Sequence, residues 1–358
     1  MMLLKHKGEE MTSVERVVAA LNYQKPDRVP VAPLLCGAAR RVNGVTYPKW
    51  ATDAEACAEA FIQSVDLFDY DVIVGLVDLS VESADWGQAT VFPPHSTPYT
   101  DTNKPFIKNE EDYYRLEKIN PRETPRMKMV LEMLSRVVKA RGKEKVVCGF
   151  IYGPLGVLSQ LRGHERLFKD CLKRPEAVKA GLEVVTEVLC DYARAMIETG
   201  VHAIAVDTLY ACKTIMSKKM WEEMEGPYAK KLCDVIRDAG IALALHNCGG
   251  ATYFDAQIKW LNPQAISHAY PADDCKDWAE HAAKWGKKVV TMGYLIPSEL
   301  GLIMTPEQVI EECRREIETF KDCDGGFILA PGCEFPPNGS LLNMAAIMQA
   351  VRTYGVYH

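Results

Sequence analysis

The sequence predicts a closed parallel barrel of eight β/α units, the (β/α)8 or TIM-barrel class, carried by residues 1–358 as a single domain. Three observations predict it. Short runs rich in Val, Ile, Leu or Ala recur at 28–36, 70–79, 145–151, 203–208, 242–248, 265–269, 288–294 and 326–330. Most are almost continuously apolar, as strands covered on both faces are. Amphipathic segments of helical length separate them, the alternation that builds a parallel sheet. A doubly wound open sheet is the rival. It wants a glycine-rich phosphate turn after the first strand, and Cys36-Gly37-Ala38-Ala39 offers one glycine.

The elements follow in order. Thr12-Ser13-Val14-Glu15 reads as a capping box that opens an N-terminal helix outside the barrel. The segment 79–117, with Pro93-Pro94 and Asp101-Thr102-Asn103, reads as an insertion or lid after the second strand. Met127, Val130, Leu131 and Leu134 have the spacing of a buried helical face. Arg174-Pro175-Glu176 opens a long helix that runs to about Thr199, where Gly200 stops it. Thr305-Pro306-Glu307-Gln308 is a second capping box, with proline at the first helical position.

Composition narrows the function classes. The chain is 48% apolar and 25% charged, enough for a large core. A net charge of −6 disfavours a nucleic-acid partner, whose phosphates it would repel. The start, MMLLKHKGEE, meets charge before an apolar leader can form. The longest mostly apolar run, 146–158, is broken by three glycines and a proline, well short of the ~20 residues that span a bilayer. Twelve cysteines with no CxxC pair suit a reduced, cytoplasmic protein whose thiols pack as small hydrophobes.

The run 241–250, Ile-Ala-Leu-Ala-Leu-His-Asn-Cys-Gly-Gly, carries the most chemistry. Residues two apart on a strand share a face, so His246 and Cys248 project together at the carboxyl end where barrel enzymes place their sites. The last strand ends likewise, in Ala330-Pro331-Gly332-Cys333. Strands five and eight of a barrel can aim at one point on its axis. One imidazole and two thiolates form a zinc set with an open position. Chance placement among twelve cysteines is the competing reading.

Other residues at or near strand ends have functional readings to weigh against structural ones. Asp207 contacts substrate, orients His246, fills a fourth metal position, or caps the next helix. Tyr210 donates a hydrogen bond to a substrate oxygen or packs in the loop. Asp78 and Glu82 act on substrate or are solvated acids. His268 is an alternative ligand or a satisfied rim histidine, and Glu334 could turn toward the metal. Cys148 and Cys212 pack near strand ends or line the pocket. His164 reads as surface, while His6, His95, His202, His281 and His358 carry no pattern.

The chain resembles the uroporphyrinogen decarboxylase superfamily, in its corrinoid-linked methyltransferase branch, over nearly its whole length. The resemblance rests on residues 12–28 leading into Pro30-Val31, on Gly153-Pro154, Gly163-His164-Glu165 and Arg174-Pro175-Glu176, and above all on His246-Asn247-Cys248-Gly249 and the run from Gly325 to Glu334. The last two separate zinc methyltransferases from metal-free decarboxylases. Where decarboxylases carry an arginine-bearing Gln-Ala-Gly-Arg grip, this chain has Leu34-Leu35-Cys36-Gly37-Ala38-Ala39-Arg40, although Asp78 falls where they keep a key aspartate.

The resemblance implies zinc on His246, Cys248 and Cys333, and a barrel mouth that faces a separate corrinoid-binding protein. It implies methyl transfer from a small-molecule O-methyl donor, read first as an aromatic methyl ether, to the Co(I) of that partner. The alternative is transfer from the corrinoid to a thiol of the coenzyme M type, for which Arg40 and Arg41 are the nearest sulfonate grip. Porphyrinogen decarboxylation and a non-catalytic zinc module that docks a corrinoid protein are the remaining readings.

Overall fold

The structure is a computed structural model that describes residues 9–357; His6 and His358 lie outside the described residues. The described residues form nine strands: β1 (Val72–Val74), β2 (Thr90–Val91), β3 (Tyr99–Thr100), β4 (Val146–Tyr152), β5 (Ala203–Asp207), β6 (Ala242–Asn247), β7 (Ala265–His268), β8 (Val290–Met292) and β9 (Phe327–Ile328). Seven of them form one parallel sheet in the order β1-β4-β5-β6-β7-β8-β9, and β2 and β3 pair apart as an antiparallel ribbon.

The first expected strand, 28–36, survives as two isolated bridges, Arg28 antiparallel to Val356 and Val31 parallel to Leu329. Ala32 N donates to Leu329 O at 2.9 Å, and Val72 N donates to Val31 O at 3.1 Å. The segment therefore stands between β9 and β1 as the eighth stave and closes the barrel. It cannot extend its ladder, because Pro30 and Pro33 lack N–H donors and Val31 N donates to the Asp71 carboxylate at 2.8 Å. Leu34 and Cys36, at φ of 43° and 42°, then turn the chain out of extended geometry.

Asp71 binds several elements together. Its carboxylate accepts from Arg16 at 2.6 Å, Ser13 at 2.7 Å and Arg28 at 2.7 Å as well as from Val31 N. The N-terminal helix, the proline-rich stave and β1 thus meet on one fully buried acid. Burial alone would raise its pKa; the Arg28 and Arg16 charges outweigh that and hold it well below the usual carboxylate range.

The other element signals hold. Both capping boxes are formed, at Thr12 with Glu15 and at Thr305 with Gln308. The long helix is Pro175–Glu198, with Gly200 at φ 88° beyond it. Met127, Val130 and Leu134 are buried on Pro125–Arg141, with Leu131 packed at the margin.

Two-residue alternation sorts the strand side chains. Val72, Val74, Val146, Cys148, Phe150, Ala203, Ala205, Ala265 and Ile328 fill the barrel interior, while Ile73, Val147, Ile204, Val206, Leu243, Leu245 and Ile266 pack outward against helices. Interior positions of β5 to β7 are mostly alanine. They leave an apolar cavity of about 420 Å³ at the N-terminal end, under helix Ser13–Leu21. Cys148 lines that cavity, at the end remote from the cysteine-bearing loops.

The 79–117 insertion contains a short helix, Val81–Asp85, the β2–β3 ribbon and a second short helix, Glu110–Tyr114. It is fastened across the mouth: Tyr47 N donates to Pro94 O, Asn338 Nδ2 to His95 O, Thr100 Oγ1 to Gln160 Oε1 and Ile107 N to Leu161 O. Among the described residues no helix is long and apolar enough to cross a membrane.

Asp71→Ala is expected to cost about 3–5 kcal/mol of stability, because it strands two buried guanidinium groups. Since the folded-state pKa of Asp71 is depressed, its contribution is complete above an unfolded pKa of ~3.9 and is lost as pH falls below it. Urea unfolding from pH 6 down to pH 2.5 should show the wild type losing more stability than Asp71→Asn; parallel pH curves would contradict this role.

Candidate metal centre at the barrel mouth

His246 ends the inward-facing series of β6, after Ala242 and Ala244, and the chain then turns through Asn247 to Cys248. Asn247 builds that turn. Its Nδ2 donates to Thr208 O at 2.6 Å, and its Oδ1 accepts from Gly249 N at 2.9 Å. A Cβ on Gly249 would lie 2.3 Å from Cys212 Sγ, so only glycine lets the turn sit this close. On the other side, the loop after β9 is pinned by Gly332 N to Leu295 O and by Phe335 N to Leu34 O. A Cβ on Gly332 would meet Ala269 Cα at 2.6 Å.

These two loops bring the ring nitrogen of His246 and the sulfurs of Cys248 and Cys333 within 4.8 Å of one another. A tetrahedral ion with bonds of ~2.0–2.3 Å separates its ligand atoms by ~3.4–3.8 Å, so small side-chain rotations close the set. His246 is buried, while Cys248 and Cys333 are half-buried, which leaves the sulfur side open to the mouth. The imidazole is oriented from behind by a 3.0 Å bond between His246 Nδ1 and Ser267 Oγ. The donor set and its spacing fit a thiophilic metal ion.

Electrostatics agree with a shared charge at this point. A hydrogen bond with Cys248 is the main cause that lowers the Cys333 thiol's pKa, with His246 adding to it against burial. The Cys248 thiol is pushed up by the same bond and by burial. Burial disfavours a charged His246, yet Cys333 raises its pKa overall. Asp207 stands beside His246 in the β5–β6 register, fully buried, and its Oδ1 has no hydrogen-bond partner. Burial raises its pKa to about 7, with the Cys333 charge adding to the effect.

A family model, "Uroporphyrinogen decarboxylase (URO-D)", matches residues 12–354. The chain belongs to the uroporphyrinogen decarboxylase family. Within it, the chain is 24% identical over 350 residues to a protein named methylcobamide:CoM methyltransferase MtbA from Methanosarcina acetivorans, covering 96% of this chain and 99% of that one. A relative named uroporphyrinogen decarboxylase, from Helicobacter pylori, is 22% identical over 73% of this chain and 75% of its own length. A solved structure titled methyltransferase from Methanosarcina mazei superposes with a TM-score of 0.82 at 21% identity, covering 96% of this chain and 99% of that one, which establishes the barrel fold.

The URO-D barrel places the other expected residues as follows. Asp78 accepts from Arg126 at 2.6 Å and from Ser80, and it lines a cavity of about 440 Å³ beside Glu334. Tyr210 is buried, and its hydroxyl is held by His164 Nδ1 at 2.7 Å. His164 is exposed, as expected, and it also lines that cavity. Glu82 is buried on its helix, where it accepts from Tyr152 N at 3.1 Å, so it is no solvated loop acid.

His268 stays out of the ligand set for reasons of parity. It points outward on β7 and packs among Phe254, Trp278 and His281. Glu334 turns from the ligands to accept from Gly37 N at 3.3 Å. Cys212 packs under the Gly249 turn. Arg40 is buried and bound to Asn338, and Arg41 is bonded to Gly339 O.

Four contributors escape a reading of the sequence alone: Ser267, Arg126, Gln160 and Tyr47. Ser267 was legible in principle, because Ala265 and Ser267 share the inward parity of β7. The others arrive from helices and carry no local signal.

Removing the imidazole's partner should weaken the centre without dismantling it. Ser267→Ala is expected to reduce affinity for a divalent metal about tenfold, measured by competition with a chromophoric chelator. Unchanged affinity would mean that the serine does not orient His246.

Proposed function

We propose that this chain is a zinc-dependent, corrinoid-linked methyltransferase whose single barrel domain moves a methyl group between the cobalt of a partner corrinoid protein and a small molecule, with a thiol as acceptor. The observation that carries the reading is the His246, Cys248 and Cys333 set within 4.8 Å at the mouth. The relatives favour one direction of transfer. Those named methylcobamide:CoM methyltransferases match 96% of this chain, more than the decarboxylases at 73%. They move the preferred reading from the O-methyl donor expected above to the thiol acceptor given there as the alternative.

Zinc held by two thiolates and an imidazole supplies a tempered Lewis acid that favours the thiolate form of an incoming thiol near neutral pH. The chain's own residues do the rest. Ser267 fixes the imidazole, and the Asn247 and Gly332 turns hold the two cysteines at a common point. Asp207 offers a free carboxylate oxygen where the thiol proton is lost. The acceptor sulfur then takes the methyl carbon: a C–S bond forms, the Co–C bond breaks, and its electron pair stays on cobalt as Co(I). Donor-side chemistry would run the same exchange in reverse, from an O-methyl compound to Co(I).

The test is optical. Zinc-loaded protein, free methylcobalamin and a thiol are mixed without oxygen, and loss of the methyl-cobalt spectrum is followed. Demethylation should require thiol, stop on chelation, and fall at least about a thousandfold in Cys333→Ser. Full activity after chelation would rule out the zinc reading. A spectrum unchanged by thiols, with Co(I) methylated by O-methyl compounds, would return the enzyme to the donor side.

A further inference from the structure

The cavity lined by Asp78 and by Glu334, the residue that follows Cys333, is distinctive for the charge it lacks. Its volume is about 440 Å³, large enough for a small substrate, and no Lys or Arg is among its lining residues. The two ionisable acids there are Asp78 and Glu334. The nearby guanidinium groups stand outside the lining. Arg126 donates to Asp78 at 2.6 Å, Arg40 donates to Asn338 at 2.9 Å while stacking on Tyr47, and Arg41 is bonded to Gly339 O. Arg40 and Arg41, the nearest candidates for a sulfonate grip, are not among the residues that line this cavity.

What the wall does present is neutral hydrogen bonding. Gln160 uses its carbonyl oxygen to accept from Thr100 at 2.6 Å, which leaves its amide N–H groups to donate. His164 engages Tyr210 through Nδ1, which leaves Nε2 for a ligand. An anion entering such a site would give up water for carboxyl groups and neutral dipoles, with no Lys or Arg in the wall to offset the loss and the neighbouring Arg126 charge paired with Asp78.

Resting on the methyltransferase reading, we propose that the small molecule bound in this cavity is uncharged at its non-reacting end and held there by Gln160 and His164. Its chemical class is a hydroxylated or similarly neutral thiol. Thiols or methyl donors bearing a sulfonate or carboxylate are discriminated against.

Two thiols of similar size separate the cases: thioglycerol, a neutral diol, and 2-mercaptoethanesulfonate, an anion. Calorimetric binding to the zinc-loaded protein reads the preference without turnover, and methylcobalamin demethylation reads the reaction with the same compounds. Thioglycerol should bind at least about tenfold more tightly, and Gln160→Ala should narrow that ratio by weakening the diol. Thr102 is exposed on the cavity rim. Thr102→Lys adds the missing cation and should shift the ratio about fivefold toward the sulfonate at low salt, an effect that fades as salt rises. Tighter binding of the sulfonate to the wild type would overturn the proposal while leaving the methyltransferase reading intact. Preference for the diol without demethylation by either thiol would uphold the cavity's selectivity and contradict the thiol-acceptor reading instead.

Discussion

A strand buried on both faces sends alternate side chains to opposite sides, and in a closed barrel one of those sides is the axis. The functional groups that the strands themselves carry at this mouth depend on that parity. Ala203, Ala205 and Asp207 follow one another inward along β5, as do Ala242, Ala244 and His246 along β6 and Ala265 and Ser267 along β7. The parallel register then sets Asp207 beside His246 and His246 beside Ser267. A slip of one residue on β6 would turn His246 into the helical layer and bring Leu245 to the axis.

Closure of the barrel gives that parity a fixed centre, and it depends on buried charge. The stave at Val31 has too few donors for a full ladder, and the Asp71 carboxylate substitutes for part of it while compensating Arg16 and Arg28. The same fold treats its other buried acids differently by position. Asp71, far from the mouth, is surrounded by donors, whereas Asp207 at the mouth keeps one oxygen unpartnered. A fully satisfied carboxylate is structural. An unsatisfied one next to two thiols and an imidazole is available to a ligand or a proton.

Much of this was legible in the sequence because local rules sufficed. Both capping boxes, the glycine stop after the long helix and the His-x-Cys strand end are signals spanning a few residues, and the structure forms each of them. The parts that were not legible depend on side chains brought together across the chain. The first stave reads as a full strand until Asp71, forty residues on, takes its amide. His268 draws the eye as a ligand, although parity gives the inward place to Ser267. Tyr210 is consumed by His164, and the insertion reads as a lid until Tyr47, Gln160 and Asn338 fasten it down.

The proposed reaction requires a zinc ion on one nitrogen and two sulfurs with room for a third sulfur from the acceptor. X-ray absorption at the zinc edge tests it most directly, on protein loaded with one equivalent of zinc, before and after adding a saturating neutral thiol. The account predicts two sulfurs at ~2.3 Å in the first spectrum and three in the second. A zinc shell of nitrogen and oxygen, or a sulfur count that does not rise with the thiol, would contradict it.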